Sequence, residues 1–214
     1  MKFCRPLFFI IATTLLFPIA ARAATILPVP FTTQAPQNQW RTQPFQDACE
    51  ESSVLMVSAF YHDEQLTRAS VHTKILDFVA YEKTYFGFHK DTNAGMTARM
   101  ANERGNFLAH VINNVTADDI RTEIDAGHPV IFHAYVPALH NPHYRPPMNP
   151  YHVFVIIGYD DVTDEFITND PGTNFGKNYR YKTKVLMAAN HDWVPRKNVG
   201  QGEALVLFTE KIEL

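Results

Sequence analysis

The stretch Tyr151-His152-Val153-Phe154-Val155-Ile156-Ile157-Gly158-Tyr159 is apolar or aromatic at every position except His152. A half-buried strand alternates polar and apolar residues, so a continuous run of this kind suits a strand in the middle of a sheet. Its neighbours have the same character. Val130 to Val136 forms a strand after Pro129. A five-residue turn, Asp160 to Asp164, leads into a strand over Glu165 to Asn169. Lys184 to Met187 and Glu203 to Phe208 read as further strands. The chain before this region is mostly helical. Leu66 to Tyr81 carries part of an apolar stripe at Ile75, Leu76 and Val79. Met96 to Arg104 forms a short helix stopped by Gly105, and Phe107 to Ile112 follows as a strand. Thr116 and Asp119 cap a helix that runs through Ile120 and Ile124 to Gly127. Helices come first and strands later, which gives an α+β class with a helical part packed on an antiparallel sheet.

Residues 1–23 have the pattern of a secretory signal peptide. Lys2 and Arg5 precede an apolar core from Leu7 to Ala20, and Ala21-Arg22-Ala23 is a small-x-small cleavage site. The core is shorter than the ~20 residues that span a bilayer. The expected product is a single domain, 24–214, secreted or periplasmic and without a stable membrane anchor. It has 16 basic against 22 acidic side chains. That balance argues against nucleic acid or an anionic lipid surface as partner. Processing also removes Cys4 and leaves Cys49 as the sole cysteine. A lone thiol in an oxidising compartment cannot form an internal disulfide.

Cys49 sits in Gln46-Asp47-Ala48-Cys49-Glu50-Glu51-Ser52-Ser53. Asp47 occupies an N-cap position and Glu50 follows three residues later, as in a capping box. Val54, Val57 and Phe60 then mark one helical face. Cys49 therefore falls in the first turn, where the helix dipole favours a thiolate by roughly 0.3–1 kcal/mol. Glu50 and Glu51 oppose this unless they point away, so a reactive thiol needs an imidazolium partner. The alternative is a buried, inert cysteine. Upstream lie Leu27-Pro28-Val29-Pro30-Phe31, Trp40 and Gln43-Pro44-Phe45; Gln34, Gln43 and Gln46 each carry an amide able to reach an oxyanion.

A thiol nucleophile requires a base, and the base an orienting group. His152 stands where the apolar run leaves a polar, proline-rich loop, His140 to Pro150. Asp170 ends the next strand in Asn169-Asp170-Pro171-Gly172. A hairpin symmetric about Val162 puts 154 opposite 170 and 152 opposite 172. Asp170 is then the diagonal neighbour of His152, about 7–8 Å away and within side-chain reach. A one-residue slip would put Asn169 there instead. His133 competes as a strand histidine. His140 and His143 are three apart, but a full set of metal ligands is missing. No metal and no cofactor is expected.

These segments resemble the secreted bacterial peptidases of papain-like fold related to the double-glycine peptidases that process bacteriocin leaders, the C39-like peptidases. The matching stretches are Val29 to Pro36, Trp40, Ala48 to Ser52, Gly127-His128-Pro129-Val130, Tyr151-His152-Val153, Gly158-Tyr159-Asp160 and Asn169-Asp170-Pro171-Gly172, within residues 27–181. The resemblance implies Cys49 as nucleophile, His152 as base and Asp170 as orienter. It also implies a glutamine as oxyanion donor: Gln43 by its six-residue spacing to the cysteine, or Gln34 by the Val-Pro-Phe-x-x-Gln motif. Glu50 departs from the glycine that many relatives carry.

The reading that follows is a secreted cysteine hydrolase that cleaves peptide or amide bonds through an acyl-thioester, with a peptide or protein substrate. The alternatives are an acyl or peptidyl transferase on the same fold, or a non-catalytic secreted binding module with an inert thiol.

Overall fold

The computed structural model describes residues 24–144, 147, 149–195 and 198–213. The signal peptide assigned to 1–23 lies outside the described residues. In chain order the elements are β1 (Thr25–Ile26), α1 (Cys49–Tyr61), α2 (Arg68–Tyr85), α3 (Ala94–Met100), β2 (Phe107–Asn113), α4 (Ala117–Asp125), β3 (Val130–Tyr135), α5 (Val136–Leu139), β4 (Tyr151–Asp160), β5 (Glu165–Asn169), β6 (Tyr179–Lys182), α6 (Thr183–Ala188) and β7 (Leu205–Lys211). The strands pair antiparallel in the order β2-β7-β3-β4-β5-β6, and β1 pairs with β4 at Gly158 and Tyr159. The class is mixed helix with an antiparallel sheet, as the sequence indicated.

β4 is buried along all but its last residue because both faces of the sheet are covered. On one face Tyr151, Val153, Val155 and Ile157 join the core built with α1, α2 and α3. On the other, Phe154 and Ile156 meet Ile120 and Ile124 of α4 and Leu186 of α6. Full burial of such a side chain contributes about 1.5–3 kcal/mol, so the apolar run of β4 is what holds the two helical layers to one sheet.

α1 lies against β4, where Ser53 Oγ donates to Val153 O at 3.2 Å. It is buried nearly all round: Leu55, Met56 and Ala59 are as enclosed as Val54 and Val57, so the one-face reading was too narrow. The expected cap is also corrected. The N-cap residue is Ala48, with no side-chain cap, and Asp47 closes a short 3₁₀ turn, Phe45–Asp47. Asp47 Oδ2 is held instead by Gln43 Nε2, and the Glu50 carboxylate is engaged elsewhere. The Thr116–Asp119 capping box does form at α4.

Two other segments differ from the sequence reading. Residues 184–187 are not a strand but part of α6, and the edge strand is β6, five residues earlier. A short apolar run fits either period, and here only Leu186 is fully buried. The second difference is in the β4–β5 hairpin. The turn spans 161–164, one residue shorter than expected, and Asp160 faces Glu165. A bulge between Ile156 and Gly158 then restores the symmetric register, so Val155 faces Asn169. The bulge falls where β1 docks: a Cβ on Gly158 would come within 2.2 Å of Thr25 O.

Candidate active site

Cys49 is the first residue of α1 and only 4% exposed. Its Sγ donates to Glu50 Oε2 at 2.9 Å, while Glu50 Oε1 accepts the Thr92 N–H at 2.7 Å. Burial pushes the thiol well above its ordinary range, and the charges of Glu50, Asp91 and Glu51 push in the same direction. These effects outweigh the modest dipole contribution of the helix start. The glutamates do not point away: Glu50, Glu51 and Glu82 are all about 1% exposed. Burial, then Asp91, moves Glu50 up to about 8; burial moves Glu82 up to about 7. Glu51 is also raised, by burial and then by Glu82 and Glu50. Glu51 Oε1 and Glu82 Oε2 are buried without a hydrogen-bond partner. Asn149, in the loop before β4, donates to Asp91.

At the start of β4, His152 Nε2 lies 2.8 Å from Asp170 Oδ1. Asp170 is fully buried and has four donors. His152 and the Gly172 N–H (2.9 Å) address Oδ1; the Tyr144 and Tyr181 hydroxyls address Oδ2. Burial alone would raise this carboxyl, but the His152 charge and the donors from His152, Tyr144 and Gly172 hold it below the usual range. With Nε2 directed at Asp170, the Nδ1 side of the ring is left for other chemistry. Gly172 packs on the ring so closely that a Cβ there would meet His152 Cε1 and Nε2 at 2.8 Å. Tyr144 stands edge-on to the imidazole at 5.6 Å.

Asn169 turns to other work: its Nδ2 donates to Val29 O, and its Oδ1 accepts the Asn178 N–H. Gln34 is buried and donates to Phe45 O (3.2 Å) and Gln46 O (2.7 Å), tying the Val-Pro-Phe segment to the turn before α1. Gln43 is exposed and donates to Asp47 Oδ2. Gln46 is also exposed.

The structure thus joins His152 to Asp170 but gives Cys49 no hydrogen bond to His152. The thiol belongs to the core around Tyr151, whereas His152 leans toward Phe154, 5.9 Å away. Among the other histidines, His133 is buried with neither ring nitrogen partnered, and burial lowers it to about 3, so it stays neutral. His143 stacks on Phe175 at 4.5 Å. Among the described residues no three His, Cys, Asp or Glu side chains group as a metal site. The sequence reading missed Tyr144 and Tyr181, which carry no local signal. It also missed the depth of the glutamate cluster, whose signal was available: two acids opening a helix that carries no other charge.

Comparison with known proteins defines the class. The Peptidase_C39 like family matches residues 26–201, and the chain belongs to that family. A putative C39-like peptidase from Bacillus anthracis has the same fold. It is 14% identical, the match covers 90% of this chain and all of that one, and the TM-score is 0.53. The peptidase domain of Streptococcus ComA, a bi-functional ABC transporter involved in a quorum-sensing pathway, matches at 14% identity. That match covers 78% of this chain and 93% of that one, with a TM-score of 0.46. Comparison with curated proteins returns no match. The chain is therefore a C39-like domain of papain-like fold, and that family suggests cysteine peptidase activity.

Proposed function

We propose that the protein is a secreted or periplasmic cysteine hydrolase that cleaves peptide or amide bonds. Cys49 is the nucleophile, His152 the base and Asp170 the group that orients it. The observation that carries this reading is the buried Asp170, with four donors, paired to the ring of His152 in a C39-like fold. With Nε2 held, Nδ1 is the atom that takes the thiol proton. The Cys49 S–H first turns its hydrogen from Glu50 Oε2 toward His152, the sulfur staying beside Glu50. The S–H bond then breaks, an N–H bond forms on His152, and the thiolate attacks the carbonyl carbon. The imidazolium returns that proton to the leaving amine, and water releases the acyl group from the thioester.

The Cys49 backbone N–H, in the first helical turn, has no intrahelical acceptor and is one oxyanion donor. Gln43 is the side-chain donor favoured by the hydrogen-bond inventory. Gln34 directs its amide at two carbonyls, while Gln43 has one hydrogen left after Asp47.

The test is cleavage of a mixed peptide library by the protein, by Cys49→Ala and by His152→Ala, with products identified by mass spectrometry. Both variants should be folded and inactive. Product analysis with an added amine separates hydrolysis from transfer to an acceptor. A folded parent that cleaves nothing and does not react with alkylating agents favours the binding-module reading. N-terminal sequencing of the exported protein tests secretion: it should begin near Ala24.

A further inference from the structure

The nucleophile assigned above is followed by a glutamate that no part of the triad scheme uses, yet that glutamate makes the thiol's only hydrogen bond among the described residues. Sγ donates to Glu50 Oε2 at 2.9 Å, and Oε1 is locked by the Thr92 N–H at 2.7 Å. Glu50 is enclosed by acids and neutral groups. Cys49 and Glu51 face it from α1 and Glu82 from α2. Asp91 and the Thr92 N–H face it from the loop before α3. Tyr151 faces it from β4, with Asp192 beyond that ring. None of these is a cation. A carboxylate buried without a counter-charge is costly. It is therefore not retained as an ion pair: Oε1 is held by the Thr92 N–H, and Oε2 accepts from the reacting sulfur.

We propose that Glu50 is a further catalytic residue, the direct proton partner of the Cys49 sulfur. As a carboxylate it holds the proton on the thiol. As a carboxylic acid it donates Oε2–H to the sulfur and permits the thiolate. The proton balance is simple. When the thiol ionises toward His152, S–H breaks and N–H forms on Nδ1; a neutral Glu50 then supplies an O–H hydrogen bond to the thiolate instead of a repelling charge. Burial favours the neutral acid up to about pH 8, which keeps the permissive form populated near neutrality. This inference rests on Cys49 being the nucleophile.

The experiment is the pH dependence of iodoacetamide alkylation in the parent, Glu50→Gln, Glu51→Gln and His152→Ala. In Glu50→Gln the amide oxygen keeps the Thr92 bond, and the amide nitrogen takes the Oε2 place as a permanent donor to sulfur. The thiol midpoint should fall by at least one pH unit, which is tenfold in rate at any pH below both midpoints. The same shift should appear when Glu50→Gln is added to His152→Ala, because the contact is direct. Glu51→Gln is equally buried but does not touch the sulfur, and it should move the midpoint much less.

Superimposed profiles for the parent and Glu50→Gln overturn the inference. So does an equal shift in Glu51→Gln, which would reduce the effect to general burial of charge. A second readout needs no variant: alkylating Cys49 in the parent should shift the infrared carbonyl band of a protonated buried carboxyl, and an unchanged band overturns the inference as well. The two readings fail separately. If no variant alkylates while folded, the nucleophile assignment falls. If alkylation depends on His152 but ignores Glu50, only the present inference falls.

Discussion

Replacing Asp170 by asparagine separates orientation from charge. Asp170 Oδ1 accepts from His152 Nε2 and from the Gly172 N–H, while Oδ2 accepts two tyrosine hydroxyls. The peptide N–H cannot accept a proton, so an asparagine must present its oxygen at the Oδ1 place and its amide nitrogen to the hydroxyls. The hydroxyls can rotate and accept. His152 then keeps its partner and its tautomer. What is lost is charge assistance, the difference between about 1.5–3 and about 0.5–1.5 kcal/mol per bond. A loss near 1 kcal/mol predicts a fall of roughly five- to tenfold in kcat/KM at about 1.4 kcal/mol per decade. Asp170→Ala removes the acceptor altogether. It takes the acceptor away from the Gly172 N–H and from two tyrosine hydroxyl donors, at ~1–3 kcal/mol for each left unmade, so it should cost several kcal/mol of stability and most of the activity. Peptide hydrolysis and thermal melts on both variants measure this. The carboxyl is held below its ordinary range in the fold, so its stabilisation is present above that range and is lost as pH falls through the folded value. Asp170→Asn should lack that acid-side loss. If a well-folded Asp170→Asn is as inactive as Asp170→Ala, the argument from orientation is wrong and charge is the essential element.

The buried glutamates predict the opposite pH trend. Glu50 is raised to about 8 and Glu82 to about 7, so the fold prefers their protonated forms, and melting temperature should fall between about pH 4.5 and 8. Glu82→Gln should flatten that slope, with a gain at pH 8 of about 3 kcal/mol for a shift of that size; a slope unchanged in the variant contradicts the assignment. Gly172→Ala would force a Cβ to 2.8 Å from the imidazole, so kcat should drop with little change in melting temperature. Gln34→Ala should destabilise the fold, because two carbonyls lose a buried donor, whereas Gln43→Ala should lower turnover and leave the melt unchanged. Paired melts and kinetics decide between the two glutamines.

Much of this architecture was legible because it follows from local rules. The α4 capping box, the stop at Gly127 and the central character of β4 follow from patterns of residue type. The facing of Val155 and Asn169 was also legible, but by a compensation: the turn is one residue shorter than a symmetric one, and the bulge before Gly158 returns the missing residue. A bulge placed by the docking of β1, more than 120 residues away in sequence, leaves no trace in the hairpin itself. The α6 segment failed for a related reason, since one buried leucine in six residues does not fix a period. At the site, the pairing of His152 with the residue at 170 follows from strand diagonals. The role of Tyr144 and Tyr181 does not, because their hydroxyls reach Asp170 from a loop and from the edge strand. Asp47 and Glu50 satisfied the spacing of a capping box and did not form one, because Gln43 and Thr92 competed successfully for their carboxylates.

The central claim is that Cys49 is activated by His152. The most direct measurement is the rate of Cys49 alkylation against pH in the parent and in His152→Ala, with folding checked by melts at each pH. The account predicts a limb of thiol reactivity below neutral pH in the parent that disappears in the variant, leaving a single alkaline midpoint. Identical profiles, both with a midpoint at or above the unperturbed ~8.5, would contradict it.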